Sequence, residues 1–594
     1  MLQDQDSVSV QEVRRKVEQA HAAFEKYRLF TQEQIDRIVE AMGAAGRANA
    51  RRLAELAVEE TKYGNVRDKI TKNLLNADLL VRFMRGMKTV GVLREIPEQK
   101  IVEIGVPVGV VAALVPTTNP TSTVIFKSLI SLKAGNSVVL SPHPRAIRST
   151  AETAELLHRA ALNAGAPEGI IQWLEHPSAE AIRALMHHER TAVILATGSH
   201  AMVRAAYSSG KPAYGVGPGN VPVLLDRSAD LPDAIEKIIA GKSFDYGTVC
   251  SSEQTLVCEE QLKETVLSEL KARKAFLCDE AQKNALAKIL VKENFRINPE
   301  CVGQSPPRLA HMAGFEVPPD SSILGVELEG VGKEHPLSVE KLSPVLALRF
   351  VRDFAAALDT CEAVLHFGGL GHTCVIHSKD EGRIREFALR MPAMRVLVNT
   401  AGPPGSVGIT THLAPSMTLG CGAMAGNVTG DNVGPLHLID VKRLAYGVRK
   451  AEEVLQAPPE EQVISPATGV DRQAIVEAVE RYLAERGLAA GPPKGSPPAP
   501  PAAEVVDRFL SARRVSHPAP PAVCPLREPR PAPEAPAPPQ PPKPPVTIVD
   551  FVCENDVRAA MQQGRKIYIG PKTIVTPAAR ELGDQHDILV KAER

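Results

Sequence analysis

Cys250 stands in FDYGTVCSSEQ (244–254), a stretch of small and polar residues where a loop crosses from one apolar element to the next. A thiolate is a strong nucleophile towards carbonyl carbon, and small neighbours leave room beside it for a substrate. The same cysteine can also be packing, because a buried thiol behaves as a small hydrophobe. Two other stretches carry groups that a cysteine nucleophile needs. In VPTTNPTS (115–122), Asn119 lies between an apolar strand and a helix. There its amide can donate to an oxyanion or its side chain can cap the helix. In FGGLGHTC (367–374), His372 sits in a glycine-rich turn, where it either moves a proton or satisfies loop backbone. Glycine-bearing turns follow two further strands. ATGSHAM (196–202) carries Gly198 and Ser199, and YGVGPGNVPVLL (214–225) carries Gly217 and Gly219. Neither is G-x-G-x-x-G, so spacing alone marks them only as turns that let a backbone approach a ligand. The nine cysteines are scattered without C-x-x-C pairs, so no metal site and no disulfide framework is expected.

These residues need elements to hold them. Segments 8–27, 31–60 and 68–89 are predicted helical, with Ile35, Ile38, Val39 and Met42 at helical spacing. Next come the apolar runs 100–116 and 137–142, helices at 121–133 and 145–164, and GIIQWLEH. A helix at 178–187, the strand 191–198 and a helix at 200–209 continue the alternation. A second series follows Cys250: QTLVCEE, helices from 260, LALRFV, a helix at 353–366, HTCVIHS, a helix at 380–390 and MRVLVN. Short β-branched runs alternating with helices predict an α/β fold with mostly parallel, doubly wound sheets. Two such domains flank Cys250, and a cleft between domains is a common home for an active site.

With 594 residues, the chain is too long for one core, and 69 basic against 69 acidic side chains leave no net charge. That balance argues against a nucleic-acid or anionic-membrane partner. The polar start MLQDQDSVSV is not a secretory signal, and no apolar run reaches the ~20 residues that span a bilayer. A soluble intracellular protein is expected. Between 492 and 545, 20 of the 49 prolines fall within 54 residues, the composition of an extended linker. Two short amphipathic helices are predicted beside it. One spans 470–488, with Ile475, Val479, Tyr482 and Leu483 on a face; the other spans 503–515, with Val505, Val506, Phe509 and Leu510. Short helices of this kind need a partner surface. Residues 546–594 regain strand and helix patterns.

Taken in order, TNP, ATGS, GPGN, FDYGTVCSSEQ, EKLSPVL (340–346) and MTLGCGAMAGN (417–427) resemble the aldehyde dehydrogenase superfamily over about 1–457. The SEQ after the cysteine and the PSMTLGCG segment resemble its CoA-acylating branch, including the propionaldehyde and acetaldehyde dehydrogenases of bacterial microcompartments. The resemblance implies Cys250 as nucleophile, with Asn119 and the Cys250 N–H as oxyanion donors and His372 as an assisting group. It implies that Thr117, Gly198, Ser199, Gly217, Gly219 and Glu340 face a nicotinamide dinucleotide, NAD by family preference. The position of the hydrolysing branch's glutamate falls near Val216, which cannot be a base. Coenzyme A is therefore the expected acyl acceptor. The superfamily's lysine for the adenosine ribose should fall near VVLSPHPR, where Leu140, Ser141 and Pro142 stand instead.

The implied domains are 1–240 for the N-terminal helices and dinucleotide-binding domain and 241–430 for the catalytic domain. A return segment or oligomer arm at 431–457, a linker at 458–545 and a small module of unknown role at 546–594 follow. The tail resembles encapsulation peptides, which implies binding to microcompartment shell proteins and a place inside such a compartment in the cytoplasm. The family implies a homo-oligomer, dimer or tetramer, and a short-chain aldehyde as substrate. A hydrolysing aldehyde dehydrogenase and an inactive shell-binding scaffold are the alternatives.

Overall fold

The computed structural model describes residues 2–198, 200–455, 473, 477–478, 481, 548–586 and 588–591. They belong to two compact units, Met1–Gln456 and Ala457–Arg594. In the first unit the early strands are β1 (Gly91–Ile96), β2 (Ile101–Pro107), β3 (Val110–Leu114), β4 (Ser137–Ser141), β5 (Ile171–Trp173), β6 (Thr191–Thr197) and β7 (Ala213–Val216). The later ones are β8 (Val221–Leu225), β9 (Glu253–Glu259), β10 (Phe276–Leu277), β11 (Leu324–Glu327), β12 (Val345–Val351), β13 (Gly371–His377), β14 (Ala393–Val398) and β15 (Ile439–Ala445).

Two parallel sheets form the body, as the alternation of strand and helix predicts. The smaller has the order β5-β4-β3-β6-β7. β3 and β4 are buried along their whole length, which is why they read as unbroken runs of Val, Ala and Leu. Val111, Ala113, Val138 and Leu140 pack with Ile35, Ile38 and Met42 of the helix Gln32–Ala48. Strand order reverses between β3 and β6, so the loops leaving their carboxyl ends diverge and open a crevice. The larger sheet has the order β10-β11-β12-β9-β8-β13-β14. β8 precedes the expected domain boundary at 241 yet pairs with β9 and β13, so this sheet begins at Val221. A third sheet, β1-β2-β15, is antiparallel, and through it the return segment pairs with the N-terminal half of the unit.

The expected helix at 31–60 is two helices, Gln32–Ala48 and Ala50–Thr61. Asn49 separates them, its side-chain amide donating to the Ala45 carbonyl at 3.0 Å and competing with helix continuation. The apolar run 100–116 is likewise two strands in different sheets, because Gly109 turns the chain with φ +135°. The helix expected to reach 89 ends at Met84, after a π-helical stretch Leu75–Leu80.

In the second unit, β16 (Ile548–Val552), β17 (Ile567–Val575) and β18 (Leu589–Lys591) are parallel in sequential order, joined by helices Glu554–Gln562 and Pro577–Gln585. Val552, Val557, Ala560, Ile567, Ala579 and Ile588 form its core. Of the helix predicted at 470–488, only Gln473, Glu477, Ala478 and Arg481 are described, each helical. The helix predicted at 503–515 lies outside the described residues. Among the described residues, no helix is long and apolar enough to cross a membrane.

Candidate active site

Cys250 follows a loop with unusual backbone. Asp245 and Tyr246 have φ of +48° and +51°, and Gly247 follows at +73°. Each non-glycine residue in that region costs about 1–3 kcal/mol, so surrounding contacts must hold it. The holder is the buried Asp245 carboxylate. Oδ1 accepts from the Asn65 N–H at 2.8 Å, and Oδ2 accepts from Lys69 Nζ at 3.0 Å and Thr248 Oγ1 at 2.7 Å. Lys72 Nζ donates to the same Oδ2, and the Asp245 N–H donates to Asp68 Oδ2 at 2.7 Å. Burial works against this carboxylate's charge, yet Lys69 and Lys72 hold it below its usual range. Gly64 is required beneath it: its φ is +72°, and a Cβ there would lie 1.9 Å from Asp245 Oδ1.

Beyond the loop, Cys250 Sγ lies 3.2 Å from His372 Nε2. The other ring nitrogen, Nδ1, is 2.9 Å from Thr373 Oγ1, which also accepts from Arg395 Nε at 3.3 Å. His372 is not in the expected glycine-rich turn but opens β13. Arg395 pins this strand end by donating to the His372 carbonyl at 2.8 Å and the Gly420 carbonyl at 2.6 Å. Burial, with the Arg395 charge beside it, keeps the His372 imidazole neutral far below its usual pKa. Burial and the nearby Glu340 push the Cys250 thiol up to about 12. At rest the pair is a neutral thiol facing a neutral imidazole.

Gly219 packs against this pair; a Cβ there would meet the Cys250 carbonyl oxygen at 2.0 Å and His372 Nδ1 at 3.1 Å. Its N–H donates to Glu340 Oε1 at 3.1 Å, and burial raises the Glu340 carboxyl to about 7. Cys421, a second cysteine in the MTLGCG segment, donates its thiol to the Leu419 carbonyl at 3.5 Å. Cys250, His372, Gly219 and Glu340 therefore converge, drawn from the amino-terminal approaches to β9, β13, β8 and β12.

Asn119 precedes the helix Pro120–Lys133 but makes no side-chain cap. Its Oδ1 instead accepts from Lys72 Nζ at 2.6 Å, and its Nδ2 donates to Thr118 Oγ1 at 3.0 Å. Lys72 also donates to Thr248 Oγ1 at 2.9 Å, so one ammonium ties Asn119 to the loop leading into Cys250. Sequence reasoning missed Lys69, Lys72, Asp245 and Arg395. The lysines stand on the helix Val66–Leu74, whose buried face is Lys69, Lys72 and Asn73 while Leu74 is exposed. An inverted face of this kind offers no apolar signal; the i, i+3 spacing of the two lysines is the only trace in the sequence.

The family model for the aldehyde dehydrogenase family matches residues 2–282. An acetylating aldehyde dehydrogenase from Geobacillus thermoglucosidasius superposes with a TM-score of 0.74 at 48% identity, covering 75% of this chain and 98% of that one. The chain belongs to the aldehyde dehydrogenase family. The aldehyde-alcohol dehydrogenase 2 of Entamoeba histolytica is 41% identical over 456 residues, 75% of this chain and 52% of that protein. This aldehyde dehydrogenase chain thus spans about half the length of such a relative. A propionaldehyde dehydrogenase from the fucose-utilisation microcompartment of Clostridium phytofermentans has a TM-score of 0.66 at 28% identity, covering 73% and 97% of the two chains.

The residues at the strand-order reversal of the smaller sheet fit a nicotinamide dinucleotide. Thr117 and Gly198 follow the carboxyl ends of β3 and β6 at the strand-order reversal, where such ligands bind in open α/β sheets. Ser199 lies outside the described residues. A Cβ added at Gly217 would meet nothing within 4 Å, which leaves open space beside the glycine turn. Ser141 Oγ and Thr197 Oγ1, at the ends of β4 and β6, are buried without a hydrogen-bond partner. Val216, where a hydrolytic glutamate would stand, is packed at the end of β7.

Proposed function

We propose that this chain oxidises a short-chain aldehyde with NAD and transfers the acyl group to coenzyme A. The observation that carries the proposal is the 3.2 Å contact between Cys250 Sγ and His372 Nε2. His372 takes the thiol proton on Nε2 while its Nδ1–H donates to Thr373, and Sγ forms a bond to the aldehyde carbon. The carbonyl oxygen becomes an oxyanion, for which Asn119 Nδ2 and the Cys250 N–H are the donors. Thr117, Gly198, Ser199, Gly217, Gly219 and Glu340 would hold the dinucleotide, which when bound supplies a hydride acceptor. The thioester left on Cys250 is attacked by the coenzyme A thiol, whose proton passes to Sγ as the C–Sγ bond breaks, and His372 releases the proton it took to solvent. Valine at 216 supports a thiol acceptor over water, and the acetylating activity named for the Geobacillus relative supports it too.

With propionaldehyde and NAD, the full chain is expected to form NADH steadily only when CoA is present. Without CoA it should stop after about one NADH per active site, the burst expected of an acyl-enzyme. Sustained turnover without CoA would establish the hydrolysing alternative, and no NADH in either arm the inactive scaffold. Acetaldehyde and propionaldehyde differ by one methylene, worth about 1–3 kcal/mol in a pocket. The comparison of kcat/KM across two- to four-carbon aldehydes assigns the preferred one.

The apolar stripes at 470–488 and 503–515 support binding to microcompartment shell proteins, and the Clostridium relative supports a place inside a bacterial microcompartment. Self-assembly into a homo-oligomer is supported by β14 and β15, each at the edge of its sheet, with Met394, Val398, Val441 and Leu444 exposed. A chain ending at residue 457 should keep its turnover and self-assembly but lose capture by shell proteins. Equal shell capture would overturn the targeting role, and a monomer on sedimentation would overturn self-assembly.

A further inference from the structure

We infer that Lys72 is a positioning residue that locks the amide of Asn119 with its N–H₂ towards the substrate oxygen. The inference deepens the assignment of Asn119 as an oxyanion donor and rests on it. An asparagine amide can turn over and exchange its oxygen for its nitrogen with little change in shape. Only one of the two orientations helps an oxyanion: Nδ2 donates, whereas Oδ1 would repel it. Lys72 decides between them, because an ammonium has three donors and no acceptor. With Nζ at 2.6 Å, Asn119 must present Oδ1 to it. One N–H of Nδ2 is used by Thr118 Oγ1 at 3.0 Å, which leaves the other for the substrate. Turned over, the amide would set N–H₂ against –NH₃⁺ and aim a carbonyl at the oxyanion.

The three donors of Lys72 are all engaged, by Asn119 Oδ1, Asp245 Oδ2 and Thr248 Oγ1. Its side chain is only 4% exposed, so water does not compete for them. Thr248 and Asp245 fix the ammonium in place, and Asp245 keeps the Asn65 N–H and Lys69 Nζ as partners when Lys72 is replaced. Lys69 cannot substitute, since it is committed to the Thr118 carbonyl at 2.9 Å and Asp245 at 3.0 Å. It holds the backbone on which Asn119 sits.

The test is a double-mutant cycle in the full chain with Lys72→Met and Asn119→Ala, measured with aldehyde, NAD and CoA. Lys72→Met is expected to lower kcat about 100-fold, the scale of a lost oxyanion donor, with the aldehyde KM within about twofold. Combined with Asn119→Ala, it should add little further loss, since both act through one amide. Multiplied losses in the double variant, or parental kcat in Lys72→Met, would overturn the inference. Asn119→Ala at parental kcat would instead overturn the oxyanion reading itself, which separates the two failures. Should Lys72→Met not fold, Asn119→Asp provides an independent reading. It offers Lys72 a carboxylate but no donor to substrate, so its melting temperature should equal or exceed the parent's while kcat falls as in Asn119→Ala. A melting temperature below that of Asn119→Ala would overturn the contact.

Discussion

Cys250→Ala in the full chain is expected to abolish aldehyde oxidation, lowering kcat by at least about 10⁴-fold while leaving the fold intact. Alanine removes the atom proposed to form a bond to the substrate, and the Cys421 thiol is turned to the Leu419 carbonyl at 3.5 Å. Retained turnover would show that Cys250 is packing. A companion measurement reads the thiol directly. Burial and Glu340 push its pKa up to about 12, so the protonated form dominates throughout the neutral range. The thiolate fraction then rises about tenfold per pH unit, and alkylation of Cys250 by iodoacetamide should climb about 100-fold between pH 7 and 9 without levelling. A plateau near 8.5, the value of an ordinary thiol, would contradict the raised pKa.

Asn119→Ala is expected to lower kcat by about 10²–10³-fold, or about 2.7–4 kcal/mol, with little change in the aldehyde KM. The donor acts on charge that develops only during attack, so the ground-state complex does not feel its loss. A helix-capping role makes the opposite prediction: about 1 kcal/mol of stability lost and kcat retained. The Asn119 side chain makes no cap: it reaches Lys72 and Thr118 rather than the first turn of its helix. Parental kcat in this variant would remove Asn119 from the chemistry.

Much of the site is written in local sequence. A cysteine among small residues, a histidine after G-x-G and glycines ahead of a buried strand are short-range features, and each acts within a few residues of its own turn. Gly219 is an example: its lack of a Cβ lets one loop close on the Cys250 carbonyl, and the GPGN motif shows that glycine directly. The two α/β series were legible for the same reason, since strands buried on both faces must be runs of small and β-branched residues. Breaks were harder. Asn49 and Gly109 each divide an unbroken apolar pattern, and their effect depends on a side-chain hydrogen bond and a backbone angle that hydrophobic periodicity does not report.

What tertiary structure alone decided is which face of the helix Val66–Leu74 turns inward. By itself the sequence set Lys69 and Lys72 one turn apart, and nothing local favours burying two ammonium groups over Leu74. Their burial is offset by Asp245, 176 and 173 residues further along the chain, together with the Thr118 carbonyl and Asn119 Oδ1. Charge pairing over that separation exists only once both sheets and the loop before Cys250 are in place, because a buried ion is stable only beside its partners. The sequence by itself thus marked Cys250, His372 and the sheets that carry them. The fold determined how the Asn119 amide is held, through a lysine whose partners meet only when distant residues come together.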